Sequence, residues 1–178
     1  IAQWQDGRME VLQYASTGFD PALRAELLAL NSAAEQELHR AALAGNALAR
    51  SYAQVVDRLL ARSQLQPADI AAIGAHGQTV RHQPGLWDGT GYTLQLNNPA
   101  LLAELSGIAV VADFRSRDVA AGGQGAPLVP AFHHSVFGGA DGLRWVLNIG
   151  GISNISRLDG NDIRGWDCGP VNALMDHW

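Results

Sequence analysis

The stretch from Val111 to Pro130, VADFRSRDVAAGGQGAPLVP, limits the possible folds more than any other part of this chain. In it an apolar strand runs straight into a loop carrying two acids, two arginines and three closely spaced glycines. Ile108 to Ala112 is β-branched and almost wholly apolar, the pattern of a parallel strand covered on both faces. An α/β sheet is therefore expected, with Asp113, Arg115, Arg117 and Asp118 emerging at its carboxyl end, where open α/β sheets bind ligands. Gly122, Gly123 and Gly125 remove side chains where backbone must bend or approach a ligand, and Pro127 is expected to open a helix reaching Phe137. Spacing alone equally allows a tight, salt-bridged connection with no ligand.

A chain of 178 residues suffices for one α/β domain, or one and a part. With 12 basic and 17 acidic residues the net charge is -5, and no basic cluster offsets it. That balance argues against general affinity for nucleic acid or an anionic membrane and favours a small ligand. Cys168 is the only cysteine, so an intrachain disulfide and a thiolate zinc cluster are both excluded, and a reducing cytoplasm fits best. A buried small filler is the plain role for it. No run approaches the roughly 20 apolar residues of a membrane span, and the first residues lack the basic-then-apolar order of a signal peptide, so a soluble protein is expected. Opening at Ile1 without a methionine and closing at Trp178 in an apparent helix, the chain reads as an internal piece.

Asp6-Gly7 predicts a hairpin between Trp4 to Gly7 and Met9 to Tyr14. Asp20-Pro21 predicts a capped helix with Leu23, Leu27, Leu28 and Leu30 on its apolar stripe. Ser32-Ala-Ala-Glu35 has capping-box form, and Leu38, Leu43, Leu48, Tyr52, Val55, Val56, Leu59 and Leu60 keep helical register to Arg62, with Gly45-Asn46 a potential break. This long helix reads as scaffold. A strand Ile70 to Gly74 then leads into a loop Ala75 to Thr79, AHGQT, where a histidine, an amide and a hydroxyl fall together; His82 and Gly85 to Gly91 extend the loop region before a strand at Thr93 to Leu96. Asn98-Pro99 caps a helix that Gly107 stops, which makes a β-α-β step to the opening strand.

Beyond it, His133 and His134 are adjacent on their helix and so do not share a face, which argues against a metal pair. Arg144 to Ile149 reads as a strand that doubles back through Gly150-Gly151 in NIGGISNIS, Asn148 to Ser156, a turn whose bare N–H groups suit a phosphate or simply a hairpin. Asp159-Gly160 is a turn, Ile163 to Trp166 a strand, and GWDCGP places Asp167 at its carboxyl end; Asn172 and Asp176 share a face of the following helix. Carboxylates at strand ends, a phosphate-type turn and a hydroxyl- and amide-rich loop together suggest phosphoryl transfer to a sugar.

HGQT at His76 to Thr79, TLQLNNPALLAELSGI from Thr93, VVADFRSRDVAAGGQGAPLVPAFHH from Val110, LNIGGISNIS from Leu147 and GWDCGPVNALMDHW from Gly165 resemble the core of the anhydro-N-acetylmuramic acid kinase family. The resemblance covers nearly everything from Ala72 onward. It implies an α/β, actin-like sugar-kinase (ribonuclease H-like) fold, here partial. Residues 1–142 would be the first, sugar-binding lobe without its N-terminal phosphate loop, and residues 143–178 the start of the second. It further implies cytoplasmic peptidoglycan recycling in which ATP, with Mg2+, phosphorylates the primary oxygen of the anhydro sugar while water opens the anhydro ring. On that basis Asp167 is the expected catalytic base, Gln78, Thr79, Arg117 and Asp118 bind the sugar, and Gly150, Gly151 and Asn154 lie by the nucleotide. No protein metal ligand is expected, and a homodimer of the full-length protein is a partner that the sequence does not fix.

The chain departs from the family in having Val171 where the pattern otherwise reads GPGN, and in lacking a GTSLDG-type phosphate loop and the adenosine pocket, so on its own it is expected to be inactive. A non-catalytic sugar-binding or regulatory module of the same fold is the alternative. A hydrolase using Asp167 with Asp113 or Asp118 as acid ranks last.

Overall fold

The computed structural model of the chain describes residues 1–138 and 142–172 and divides it into two compact units, Ile1–Gly123 and Gln124–Trp178.

The first unit opens with the expected hairpin, β1 (Ala2–Gln5) against β2 (Arg8–Val11), turned by Asp6 and Gly7, both at positive φ as a two-residue hairpin turn demands. α1 (Pro21–Ala29) starts as read: the Asp20 carboxylate accepts from Ala22 N and Leu23 N at 2.9 and 3.3 Å, and Pro21 fills the first turn. The capping box at Ser32 to Glu35 is not used. Ser32 N donates to Ala29 O, so that residue is still closing α1, and α2 (Glu37–Ser63) begins from Gln36 in the left-handed region with no side-chain cap. Nor does Gly45-Asn46 break α2. Gly45 lets the helix approach the backbone at Asn97, since a Cβ there would sit 3.1 Å from Asn97 O, and Asn46 Oδ1 accepts from Asn98 Nδ2 at 2.6 Å.

The buried face of α2 is narrower than its leucine spacing implies. Leu38 and Leu43 are 89% and 55% exposed, whereas Ala44, Gly45, Leu48, Ala49, Ala53 and Leu60 are buried. Leu48 packs with Leu27, Leu30 and Val80, and Ala49 and Ala53 pack with Ala75 and Leu102. Full burial of Leu30, Leu48 and Leu102 contributes about 2 kcal/mol each.

β3 (Ile73–Ala75) pairs in parallel with β6 (Val110–Ala112), Ile73 opposite Val110 and Ala75 opposite Ala112. Both strands are shorter than the sequence suggests. A single 3-10 turn, Pro67–Asp69, uses Ile70 N before β3 can start, and Ile108 is buried beside the ladder rather than in it. The expected cover on both faces is also absent: among the described residues this sheet has two strands, and Val111 is 52% exposed. Between β3 and β6 lie an antiparallel pair, β4 (Gln78–Pro84) and β5 (Gly91–Leu96), and α3 (Pro99–Ser106), capped by Asn98 and stopped by Gly107 at φ +68° as read. Gln78, Thr79 and His82 are thus strand residues, not loop residues. β6 feeds α4 (Ser116–Ala120), a short helix the sequence reading did not separate from its loop.

In the second unit α5 (Val129–Phe137) begins two residues later than Pro127. Pro130 occupies its first turn, where a missing N–H costs nothing. β7 (Arg144–Asn148), β8 (Ile152–Asp159) and β9 (Asp162–Pro170) form an antiparallel meander in that order. α5 packs on it through the buried His133, whose Nδ1 is 2.8 Å from the fully buried Ser156 hydroxyl, and at Gly165, where a Cβ would collide with Pro130. β9 runs past the expected Trp166 to Pro170. The proposed partnership of Asn172 with Asp176 falls outside the described residues, because Asp176 is not among them.

Candidate functional site

In the first unit the turn from β3 to β4, the strand β5 and the β6–α4 junction enclose a cavity of about 250 Å³. Its wall includes His76, Thr93, Gln95, Asn97, Asp113 and Ser116. The chain is held tightly there by its turns. Gly77 sits at φ +77°, and any side chain on it would collide with the carbonyl of Leu96, so only glycine lets the β3–β4 turn lie against the end of β5. Asp113 adopts a left-handed φ of +56° and its Oδ1 accepts from Ser116 N at 3.3 Å, which turns the chain from strand to helix.

Most of the polar side chains around this cavity have partners. Thr93, 6% exposed, has its hydroxyl 2.9 Å from His82 Nδ1 and accepts from Gln95 Nε2 at 2.8 Å; the same amide reaches Thr79 Oγ1 at 3.3 Å. Asn97 Nδ2 donates to Ala75 O at 3.2 Å, while its Oδ1 is buried with no partner. Arg115 Nε donates to His76 Nε2 at 2.8 Å across 39 residues. A guanidinium cannot accept, so His76 Nε2 carries the lone pair and Nδ1 carries the proton, which it donates to Gly77 O at 2.8 Å.

Of the residues read from sequence as sugar contacts, Gln78 and Thr79 open β4 and Arg117 and Asp118 ride on α4. All four belong to the elements around this cavity, though none is in its wall. Arg117 is exposed, and Asp118 leans over Gly123, where a Cβ would run into the carboxylate. Thr93 and Gln95 are read from sequence only as strand, and Asn97, just past it, is given no role. Their alternation, polar at every second residue, was the available signal, since positions two apart share a face.

In the second unit Asp167 lies within β9, not beyond its end. It stands opposite Asn154, while Gly169 stands opposite Ser153, so Cys168 is an extra residue that bulges the strand. Gly169, at φ +136°, supplies the backbone conformation the bulge needs. A bulge bends its strand and re-aims the neighbouring side chains. Asp167 is exposed, and its carboxylate has no hydrogen bond or ion pair to another described residue. Cys168 is exposed as well, not the buried filler that its size suggests. Asn154 Oδ1 is buried and without a partner.

The β7–β8 turn carries Gly150 and Gly151 as read, and their carbonyls accept from Asn172 N at 3.1 Å and Val171 N at 2.9 Å. Those bonds pin the turn to the chain following Asp167. A Cβ on Gly151 would meet nothing within 4 Å, so the turn presents bare backbone to its surroundings. Among the described residues there is no cluster of three or more His, Cys, Asp or Glu able to hold a metal, and no helix long and apolar enough to cross a membrane.

The family model described as anhydro-N-acetylmuramic acid kinase matches residues 1–178. Proteins named anhydro-N-acetylmuramic acid kinase are similar to the chain throughout. One from Variovorax paradoxus is 62% identical over 184 residues, covering 100% of this chain and 49% of the relative. One from Cupriavidus pinatubonensis is 61% identical over 180 residues, with 100% and 48% covered. One from Bordetella pertussis is 63% identical over 172 residues, with 96% and 44% covered. The chain spans about half the length of the curated relatives it matches.

Proposed function

This chain belongs to the anhydro-N-acetylmuramic acid kinase family, and on that premise we propose that it forms the sugar-handling part of an enzyme that phosphorylates an anhydro amino sugar and opens its ring with water. The observation that carries the reading is the Asp167 carboxylate: exposed, unengaged by the described residues, and re-aimed by a bulge next to a glycine turn. A base must be free to take a proton, and among the described residues nothing engages this one.

In this reading Asp167 draws a proton from a water whose oxygen bonds to the anomeric carbon. The anomeric carbon's bond to the bridging oxygen breaks, and that oxygen forms a new bond to the γ-phosphorus as the bond to the leaving ADP oxygen breaks. ATP supplies the phosphoryl group. The open Gly150-Gly151 turn, with its bare backbone, suits its phosphates, and Asn154 on the adjoining strand would reach them only by donating through its amide nitrogen. Mg2+ would be held by the phosphates themselves with one or two carboxylates. Gln78, Thr79, Arg117 and Asp118, on β4 and α4, would hold the sugar.

We assign residues 1–142 to the first lobe of an actin-like, ribonuclease H-like fold and residues 143–178 to the start of the second. The parallel β3–β6 pair speaks for a first lobe and the β7–β8–β9 meander for a second, while α5 packs on the meander, which draws residues 124–142 toward the second unit. The reaction belongs to amino-sugar recovery from peptidoglycan in the cytoplasm. A coupled ADP-release assay on the complete reading frame that encodes this chain tests the proposal: turnover should require both ATP and the anhydro sugar, and Asp167→Asn should remove it while sugar binding persists. Sugar binding without any ATP-dependent turnover would favour a binding module instead.

A further inference from the structure

The Asp167 carboxylate has no side-chain partner among the described residues, so its direction is set by the backbone that carries it, and that backbone is the bulge of β9. We propose that Ser153 is the positioning residue that holds this bulge and so aims Asp167. This rests on the kinase reading and deepens it by naming what keeps the base in line.

The bulged segment has few restraints of its own. Cys168 is the extra residue, and the ladder is broken there. Gly169 adopts φ +136°, which glycine reaches without steric cost; glycine also loses more conformational freedom than any other residue on being held in one conformation. Pro170, opposite Ile152, has no N–H to give the ladder. An extra residue, a glycine and a proline thus follow one another directly after the base.

Two anchors bracket this segment. On the near side Asp167 itself stands opposite Asn154, and on the far side Val171 N and Asn172 N donate to the carbonyls of Gly151 and Gly150 at 2.9 and 3.1 Å. Between them Ser153 Oγ donates to Gly169 O at 3.3 Å. Among the described residues no other side chain of a neighbouring strand bonds to residues 168–170. Ser153 is 6% exposed, so solvent does not compete for the bond. Glycine permits the bulge and the serine hydroxyl fixes it. Because misplacing a reacting group by about 1 Å can cost about 10²-fold in rate, one hydrogen bond beside the base has large leverage on turnover.

The test uses the complete reading frame, with steady-state kinetics and with alkylation of Cys168 by iodoacetamide, followed on its peptide by mass spectrometry. Ser153→Ala should lower kcat about ten- to a hundredfold and leave KM for the anhydro sugar and for ATP within about twofold. Ser153→Thr, which returns the hydroxyl, should recover most of kcat. Ser153→Cys, similar in size with a weaker donor, should fall between native and alanine, and it serves in place of the alanine variant if that one does not fold. Cys168 is exposed and is the bulged residue, so its alkylation reports the backbone without any turnover: it should run at least about threefold faster in Ser153→Ala and return to the native rate in Ser153→Thr. In an Asp167→Asn background Ser153→Ala should cause no further loss of kcat, since a misaimed base and an absent one are equivalent.

Native kcat and native Cys168 alkylation in Ser153→Ala overturn the proposal and keep the kinase. A further loss of kcat in the Asp167→Asn background, or a threonine variant as impaired as the alanine one, overturns it as well. Failure of the kinase reading shows differently, as a native protein without ATP-dependent turnover or an Asp167→Asn variant that keeps it, and the alkylation rate then still decides whether Ser153 holds the bulge.

Discussion

The β6–α4 junction and the β8–β9 bulge each end in a carboxylate near glycine, yet they treat it in opposite ways. Around Asp113 the side chains are engaged: the Asp113 carboxylate by Ser116 N–H, His76 by Arg115, and Thr93 and Thr79 by Gln95. Around Asp167 the described residues bond mainly along the backbone ladder, with Ser153 Oγ donating to Gly169 O, and leave the carboxylate alone. A network that is already satisfied can hold a ligand in one orientation, and a carboxylate with no partner can accept a proton. The two carboxylates thus sit in different local structures, one stiffened by side chains and the other by a ladder.

The sharpest way to break that contrast is to remove the unengaged acid. Asp167→Asn keeps the size and the bulge but cannot take a proton, so turnover of the complete protein should fall by about 10²- to 10⁴-fold while thermal stability stays near that of the native form. A variant that loses both would mark Asp167 as structural. The complementary substitution is Gly77→Ala, which puts a side chain at positive φ against a backbone carbonyl that cannot move aside. It should cost about 2–4 kcal/mol in urea unfolding, through strain and displacement of the His76 turn. A loss under about 0.5 kcal/mol would mean the junction is not stiff at all.

Gly151→Ala sharpens the comparison from the other side. Nothing lies within 4 Å of the added methyl and no left-handed φ opposes it, so stability should change by less than about 0.5 kcal/mol. If phosphate passes over that turn, KM for ATP should still rise by up to about tenfold. An unchanged KM would separate the turn from the nucleotide and leave it the plain hairpin that its sequence also allows.

How much of this was legible depended on whether a residue's role is local. Asp20, Asn98 and Gly107 are caps, and caps act within three or four residues, so sequence located them correctly. Ser32 to Glu35 has equally good local chemistry and failed because Ser32 was needed to finish α1. Leu38 and Leu43 keep helical register yet face outward, since α2 buries its alanines against α3 and β5 where a close approach favours small side chains. The site divides along the same line. The Gly150-Gly151 turn was readable, whereas Asp167 lies inside β9 rather than beyond its end, the His76–Arg115 bond spans 39 residues, and the bulge exists only as a register shift between two strands. Neither has a signature within one window of sequence.

The smallest expected effect compares one surface acid from each unit. Arg40 holds the Glu26 carboxylate below its ordinary range, chiefly through a direct hydrogen bond; Arg164, with Arg157 second, does the same for Asp162. Both acids ionise more readily in the folded chain, so their contributions to stability are present above the ordinary carboxylate pKa and vanish as pH falls through the lowered folded value. Glu26→Gln and Asp162→Asn should each be slightly less stable than the native form near pH 7, and each difference should close on acidification below about pH 4. Asp162 and Arg164 are exposed and Glu26 and Arg40 half-exposed, so added salt should shrink the neutral-pH difference as well, more for Asp162 than for Glu26. A difference that widened on acidification would reverse the sign and place these carboxylates in contacts that favour the protonated form. Closure for one variant but not the other would show that the two units take different shares of the chain's response to acid.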